Sequence, residues 1–427
     1  MLLSIDLTSS YGLVIAASLI IILSYFSNFV SRKTNIPSPL LLIGLGIAMQ
    51  QGMEYMGIAG IPEQNLVLEV LGTVGLIFIV LEAALDLELS KEKWPIIWKS
   101  FVVALLGLVI SSFLIAIILH LTVIADQMTA LVYAIPLSIM SSAIIIPSVT
   151  GLVSDKKEFM VYESTFSDIL GIMFFYLLLE NADASKAGAV AVNVLTNISL
   201  TLVLSVLVSY LLVFVLQKIQ GQLKLFLTIS VLLLLYAAGK IYHLSPLVLI
   251  LVFGLMLNNA KLFWFKGLRK FLDVKKIRSI THDFHVLTLE TAFVIRTFFF
   301  VIFGITIVLA SLMDWAVVFY SLLIVVVLYI VRLAALFVFK RESIFPLLYI
   351  APRGLITILL FFSITSNYPQ FIDPSFNQGI LLFVIIATSL IMTFSLIQNG
   401  LKPNTSMDSD VPDESSSDAG TSELEES

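Results

Sequence analysis

The sequence predicts an all-α membrane protein of about thirteen transmembrane helices, and three observations carry the prediction. Hydrophobic residues make up 59% of the 427-residue chain and charged residues only 12%, about half the charge density of an average soluble chain. Apolar runs of about 20 residues recur along nearly its whole length, each long enough to cross a ~30 Å hydrocarbon core. The basic residues between those runs also alternate in density from one connection to the next, as a polytopic topology requires.

In chain order the spans fall at about 11–30, 36–50, 66–87, 97–120, 127–153, 158–180, 189–217, 223–240, 242–260, 285–310, 314–339, 343–366 and 377–400. The first follows Asp6, with no Lys or Arg before it and no small-residue cleavage site, so it reads as a retained helix. An odd number of spans puts the termini on opposite sides. With the N-terminus outside, the cytoplasmic connections hold nineteen of the 24 Lys and Arg, among them Lys91, Lys93, Lys156, Lys157, Lys340 and Arg341. Only Lys186 and Lys240 fall outside, and a wrong helix count would scramble this alternation. The expected location is therefore the plasma (inner) membrane, with a cytoplasmic C-terminus. The lysine-rich segment 261–278 sets topology and meets anionic lipid; nucleic acid is not an expected partner.

Residues 1–401 form the expected membrane domain. From residue 402 the composition flips to Ser, Asp and Glu, a segment without the apolar content to bury a core, so 402–427 is expected to be a disordered acidic cytoplasmic tail. The chain has no cysteine, which excludes disulfides, thiolate metal sites and thiol nucleophiles. The sequence contains no His-Glu-x-x-His motif or paired-Asp site, and its four histidines fall at span edges or in loops, so an intramembrane enzyme is not expected. No cofactor is expected either.

Two spans carry prolines in comparable places. The fifth has Pro136 and Pro147 around Ser138, Ser141 and Ser142; the twelfth has Pro346 and Pro352, followed by Arg353 and Gly354. If helices 1–6 and 8–13 are inverted repeats, these spans are equivalent, and interrupted helices at matching positions point to a midplane site. Proline that merely kinks a membrane helix is the plainer alternative.

An ionisable residue at the bilayer centre costs about 2.5–3.5 kcal/mol on insertion scales, so each one needs a partner or a function. Asp168 falls at the centre of the sixth span. Glu163 lies ~8 Å nearer the cytoplasm on the same helix, and Arg332 in the eleventh span lies at a similar depth, so these two are expected to pair. Asp168 has candidate counter-charges only in Arg296 and Arg353. Ser164 shares a helix face with Asp168, and Ser167 shares the next face with Glu163. A carboxylate with neighbouring hydroxyls can coordinate a dehydrated monovalent cation, and the same carboxylate can bind a proton; competition between the two yields exchange. An Asp168 that only packs against an arginine is the alternative. Glu82 reads equally as an ion-site acid or as an interfacial carboxylate beside Asp86 and Glu88. His282 and His285 are expected at the start of the tenth span, as solvated residues or as pH-responsive ones.

Glu163-Ser164-Thr165-Phe166-Ser167-Asp168 resembles the Glu-Ser-x-x-Asn-Asp motif of sodium/proton exchangers in the monovalent cation:proton antiporter superfamily, with Ser167 in place of Asn. Leu71–Glu82 is similar to that family's Gly-x-x-Gly-Leu…Glu helix, Arg332 to the arginine that pairs with the motif's Glu, and Ala351-Pro-Arg-Gly354 to its Leu-Arg-Gly turn. The resemblance covers about 11–400 and implies two inverted six-helix repeats with discontinuous fifth and twelfth helices, and a homodimer. It also implies electroneutral one-for-one exchange of Na⁺ or Li⁺ for H⁺ by alternating access, with K⁺ as the alternative ion. The family's Thr-Asp-Pro is read here as Ile145-Ile146-Pro147. That departure moves ion coordination toward Ser141, Ser142 or Glu82, and leaves a transport-silent sensor as a further alternative.

Overall fold

A computed structural model describes residues 10–34, 36–55, 64–180, 187–218, 224–241, 246–263, 274–307, 309–341 and 344–399. The acidic segment 402–427 and residues 264–273 of the lysine-rich segment 261–278 lie outside the described residues. The helices are α1 (Ser10–Thr34), α2 (Ser38–Tyr55), α3 (Gln64–Asp86), α4 (Trp94–Thr122), α5 (Gln127–Ser138), α6 (Ser142–Ser148), α7 (Ser154–Glu180) and α8 (Ala187–Lys218). They continue as α9 (Lys224–Ile241), α10 (Pro246–Asn258), α11 (Ala260–Phe263), α12 (Val274–Thr306), α13 (Trp315–Phe339), α14 (Leu355–Asn367) and α15 (Gly379–Gln398).

Among the described residues, eight helical segments are long and apolar enough to cross a membrane, and three shorter apolar helices accompany them. α4 is the most hydrophobic of the eight; at 29 residues it extends ~44 Å. Apolar side chains also cover much of the outside: Ile22, Leu207 and Phe394 are each at least 60% exposed. Such a surface suits hydrocarbon, where apolar burial no longer drives helices together and close packing and interhelical hydrogen bonds take over.

The helices associate in two groups. In one, α4 packs on α5, α7 and α13, α6 on α7, and α13 on α15. In the other, α12 lies along α2 and α3, and α10 joins α3 to α8 and α9. The groups meet along a seam where α3 touches α14 and α7.

The α2–α12 crossing depends on two glycines. A Cβ on Gly46 would collide with the Val301 carbonyl and lie 2.8 Å from Gly304 Cα; one on Gly304 would collide with the Ile43 carbonyl. The Ser24 and Thr297 hydroxyls, 2.8 Å apart, tie α1 to the same helix. The end of α3 has its backbone groups satisfied by neighbouring helices: Asn259 donates from Nδ2 to the Leu87 carbonyl at 2.8 Å and accepts from the Leu89 N–H at 2.6 Å. Tyr162 on α7 donates to the Glu88 carbonyl at 2.6 Å.

The expected spans map onto these helices with one correction of substance. The tenth begins at Val274 rather than at about residue 285. Its first turns carry Ile277, Ile280 and Phe284 buried at helical spacing, while Lys276, Arg278, His282 and Asp283 face outward. A charged stretch that reads as a loop is thus an amphipathic extension of the span. His282 and His285 lie two to three turns inside the helix.

Two outcomes test this packing. Gly46→Leu should destabilise the fold by about 1–3 kcal/mol, as overpacking does, read as a lower unfolding temperature in detergent. Asp126 caps α5, its Oδ2 accepting from the Thr129 N–H and hydroxyl at 2.7 Å each, and those bonds hold its carboxyl below the usual carboxylate range. The stabilisation is present above the unfolded-state carboxylate range and is lost as pH falls through the depressed folded value. Asp126→Ala should therefore cost about 1 kcal/mol at neutral pH, and the difference from wild type should disappear in acid.

Candidate functional site

α7 brings four of the sequence-predicted residues to the centre of its helix group: Glu163, Ser164, Ser167 and Asp168 are each at most 2% exposed. They face two interrupted spans. The first breaks between α5 and α6, where Ile139 and Ser141 are extended. The second makes one turn at Leu347–Tyr349, runs irregularly through Pro352, and resumes as α14 at Leu355.

Irregular backbone inside a membrane must find hydrogen-bond partners within the protein. At the first break they can be traced group by group. Met140 N–H donates to Ser167 Oγ at 2.9 Å, Ser141 N–H to the Pro352 carbonyl at 2.9 Å, and Ser142 N–H to Asp168 Oδ2 at 3.0 Å. The carbonyls at the end of α5 are held by Arg353, whose Nε donates to Leu137 at 3.1 Å and Nη2 to Ser138 at 3.2 Å; its Nη1 reaches the Ala351 carbonyl at 2.6 Å. Arg332 does the same at the second break, donating from Nε to Leu347 at 3.0 Å and Leu348 at 3.1 Å, and from Nη2 to Leu347 at 2.7 Å. The breaks cross in contact, and the crossing admits no side chain at Gly354: a Cβ there would lie 2.7 Å from Ser141 Oγ and 2.8 Å from Ile144 Cδ1.

This geometry corrects one reading of the sequence. The break lies at Ile139–Ser141, and Ile145, Ile146 and Pro147 belong to the following half-helix α6, with Ile145 fully buried among apolar neighbours. The small polar residues Ser141 and Ser142, not the proline, stand at the interruption, because hydroxyl side chains favour helix starts and turns over helix interiors.

The structure brings Glu163 and Arg332 together, with Nη1 2.7 Å from Oε1 and Nη2 3.3 Å from Oε2. Met140 Sδ at 3.0 Å and Met160 Sδ at 3.4 Å complete the surroundings of this guanidinium. Arg296 is not in contact with Asp168; it pairs with Glu82 at 3.0 Å. Glu82 is 7% exposed. Glu290, six residues before Arg296, is exposed. Ser164 Oγ donates to its own helix, at the Val161 carbonyl.

Among the described residues, the buried charges at the crossing and its flank are Glu82, Glu163 and Asp168 against Arg332 and Arg353, with the partly buried Arg296 on Glu82. Asp168 and Arg353 are the two with no opposite charge at ion-pair distance. Asp168 Oδ1 and Ser141 Oγ are buried without a hydrogen-bond partner. A small cavity with room for about one water molecule lies beside the Glu163–Arg332 pair, lined also by Gly107, Ser111, Ser138 and Arg353.

Sequence reasoning missed the contacts of Asn259 and of His285, whose Nε2 lies 2.7 Å from Asp86 Oδ1. A signal for the second was available in the spacing of Glu82 and Asp86, one turn apart on α3.

The Glu163–Arg332 pair has a measurable consequence. Arg332→Met should destabilise the protein by about 3–5 kcal/mol, because it strands a buried carboxylate. Adding Glu163→Gln should recover most of that loss, read as the unfolding temperatures of the single and double variants.

A family model described as "Sodium/hydrogen exchanger, transmembrane" matches residues 15–398. Two solved structures of the sodium proton antiporter MjNhaP1 from Methanocaldococcus jannaschii share the fold. The structure at pH 8 is 20% identical, with 91% of this chain and 95% of that chain covered and a TM-score of 0.61. An electron-microscopy structure, also 20% identical, covers 92% and 96% with a TM-score of 0.64. No curated protein matches by sequence. With the family model spanning the site and most of the described helices, the chain is a multi-pass membrane protein that belongs to the sodium/hydrogen exchanger family.

Proposed function

We propose that the protein is a secondary antiporter exchanging Na⁺ or Li⁺ for H⁺, one for one, with Asp168 as the group both ions share. The observation that carries this reading is the state of Asp168. It is buried, one oxygen is engaged by Ser142 N–H and the other is unpartnered, as is the hydroxyl of Ser141 at the same break. A carboxylate in that position can take a cation directly on Oδ1, with the Ser141 hydroxyl and carbonyls of the break completing the shell. The same oxygen can take a proton instead.

Each loaded form places one positive charge on one carboxylate, so the carrier crosses with the same charge in both directions. Exchange of that kind is electroneutral. Arg353 serves as the fixed counter-charge of the empty site, bonded to carbonyls and unable to ride with either ion. Ser167 holds the break in place through Met140 N–H, and Ser164 supports α7 rather than the ion. Alternating access follows from movement of the α7 group against the α3–α12 group along their seam. The interrupted spans are the equivalent elements of two inverted repeats, the N-terminus faces outside, and the unit is a homodimer in the lipid bilayer.

The test is Na⁺-, Li⁺- or K⁺-dependent proton flux in proteoliposomes with an imposed pH gradient. Asp168→Asn should reduce flux to that of protein-free vesicles. Ser141→Ala should raise the half-saturating Na⁺ concentration about fivefold, the equivalent of about 1 kcal/mol. Flux should not change when a membrane potential is imposed with K⁺ and valinomycin. Flux with K⁺ alone would change the ion, and ion binding without flux in the wild type would favour a sensor.

A further inference from the structure

A second series of ionisable groups runs between α3 and α12, outside the crossing. Glu82 and Asp86 lie one helical turn apart on α3 and share a face. Two basic side chains of α12 meet them: Arg296 pairs with Glu82 at 3.0 Å, and His285 Nε2 lies 2.7 Å from Asp86 Oδ1. Side-chain exposure falls along the series from 33% at His285 to 24% at Asp86 and 9% at Glu82. Asp168, 2% exposed, lies on α7, which α3 touches. Titratable groups therefore descend in order of burial from the end that carries the basic connections to the proposed ion carboxylate.

Among the described histidines His285 alone contacts a partly buried carboxylate. His120 bonds a backbone carbonyl, and His282 is 78% exposed beside Asp283. Among the described residues, the ion-pair partner of His285 is Asp86. On α12 itself Lys276, Arg278, Asp283 and Glu290 are exposed, as is Glu88 just beyond α3. Lys33 of α1 and Lys218 of α8 lie over Phe29 and Phe214. α10 offers the uncharged Asn258 and Asn259, the acid of α2 is Glu54 near its C-terminal end, and α14 carries no charge.

We infer that the His285–Asp86 pair is the point where protons enter and leave the exchanger on the side of the basic connections, with Glu82 as the step between it and Asp168. This rests on the exchange reading above. A proton taken up at the free ring nitrogen of His285 lets the proton on Nε2 pass to Asp86 Oδ1, leaving the ring neutral. Asp86 then passes a proton to Glu82 across one helical turn, ~6 Å, a gap that one water spans. Glu82 hands it to Asp168 as the metal cation leaves. Each transfer moves one proton from one acid to one base, and no electron changes hands. Arg296 holds Glu82 in place between the two ends.

The experiment is sodium-dependent proton flux by the full chain in proteoliposomes across a pH series. His285→Ala should slow flux about tenfold or more on the alkaline side, where proton supply limits, and should leave half-saturating Na⁺ within about twofold of wild type. Imidazole added to the buffer, a diffusible replacement for the missing ring, should restore most of the rate. His285→Gln keeps a hydrogen-bond donor toward Asp86 but cannot relay a proton, so it should be as slow as the alanine variant. Wild-type rates in the glutamine variant, or a slow alanine variant that imidazole does not rescue, would show a structural strut and overturn the inference. Absence of flux in the wild type would instead remove the exchange reading, and this one with it.

Discussion

The requirement that every backbone polar group inside a bilayer find a partner within the protein governs this structure. Two spans are interrupted, and each interruption frees N–H and C=O groups that lipid cannot satisfy. The chain answers with charged and hydroxyl side chains. Ser167 and Asp168 accept the freed N–H groups of the first break, while Arg353 and Arg332 donate to the freed carbonyls of the two breaks. The polarity of the half-helices explains which group stands where. An anion belongs at the positive N-terminal end of α6, and a cation belongs at the negative C-terminal end of α5. The residues that make an ion site feasible are thus the same residues that make the irregular backbone tolerable.

That double duty separates the charges into two kinds. Arg332 is saturated: it has Glu163, three bonds to backbone carbonyls and two thioethers around it. Asp168 is half-satisfied, with one oxygen bonded and one free. A buried group left partly unsatisfied costs stability, and such a cost persists where it serves a function. Glu163 and Asp168 are five residues apart on one helix, yet one is locked into the frame and the other is available.

Much of this was legible in the sequence, for identifiable reasons. Spans of twenty apolar residues and alternating basic connections are strong signals because lipid imposes them directly. The shared depth of Glu163 and Arg332 followed from simple helix rise. Harder to read were features set by contacts between distant segments. Nothing in Ile145-Ile146-Pro147 announces that the interruption falls six residues earlier, since proline is tolerated inside a half-helix and Ser141 and Ser142 decide the boundary. The first turns of α12 read as loop because charge dominates them, although Ile277, Ile280 and Phe284 keep helical spacing. Arg296 belonged with Glu82 rather than Asp168, a choice that depth alone cannot make when two acids lie within reach of one long side chain.

The bond from Ser141 N–H to the Pro352 carbonyl joins the two interrupted spans to each other, and α7 is bonded to the first of them. The half-satisfied carboxylate therefore belongs to one hydrogen-bonded unit made of α7 and both interrupted spans. In the exchange proposed above, a cargo on Asp168 would keep its ligands while the unit moves. The direction of net exchange would then be set by the gradients on its two sides and not by any rebuilding of the site.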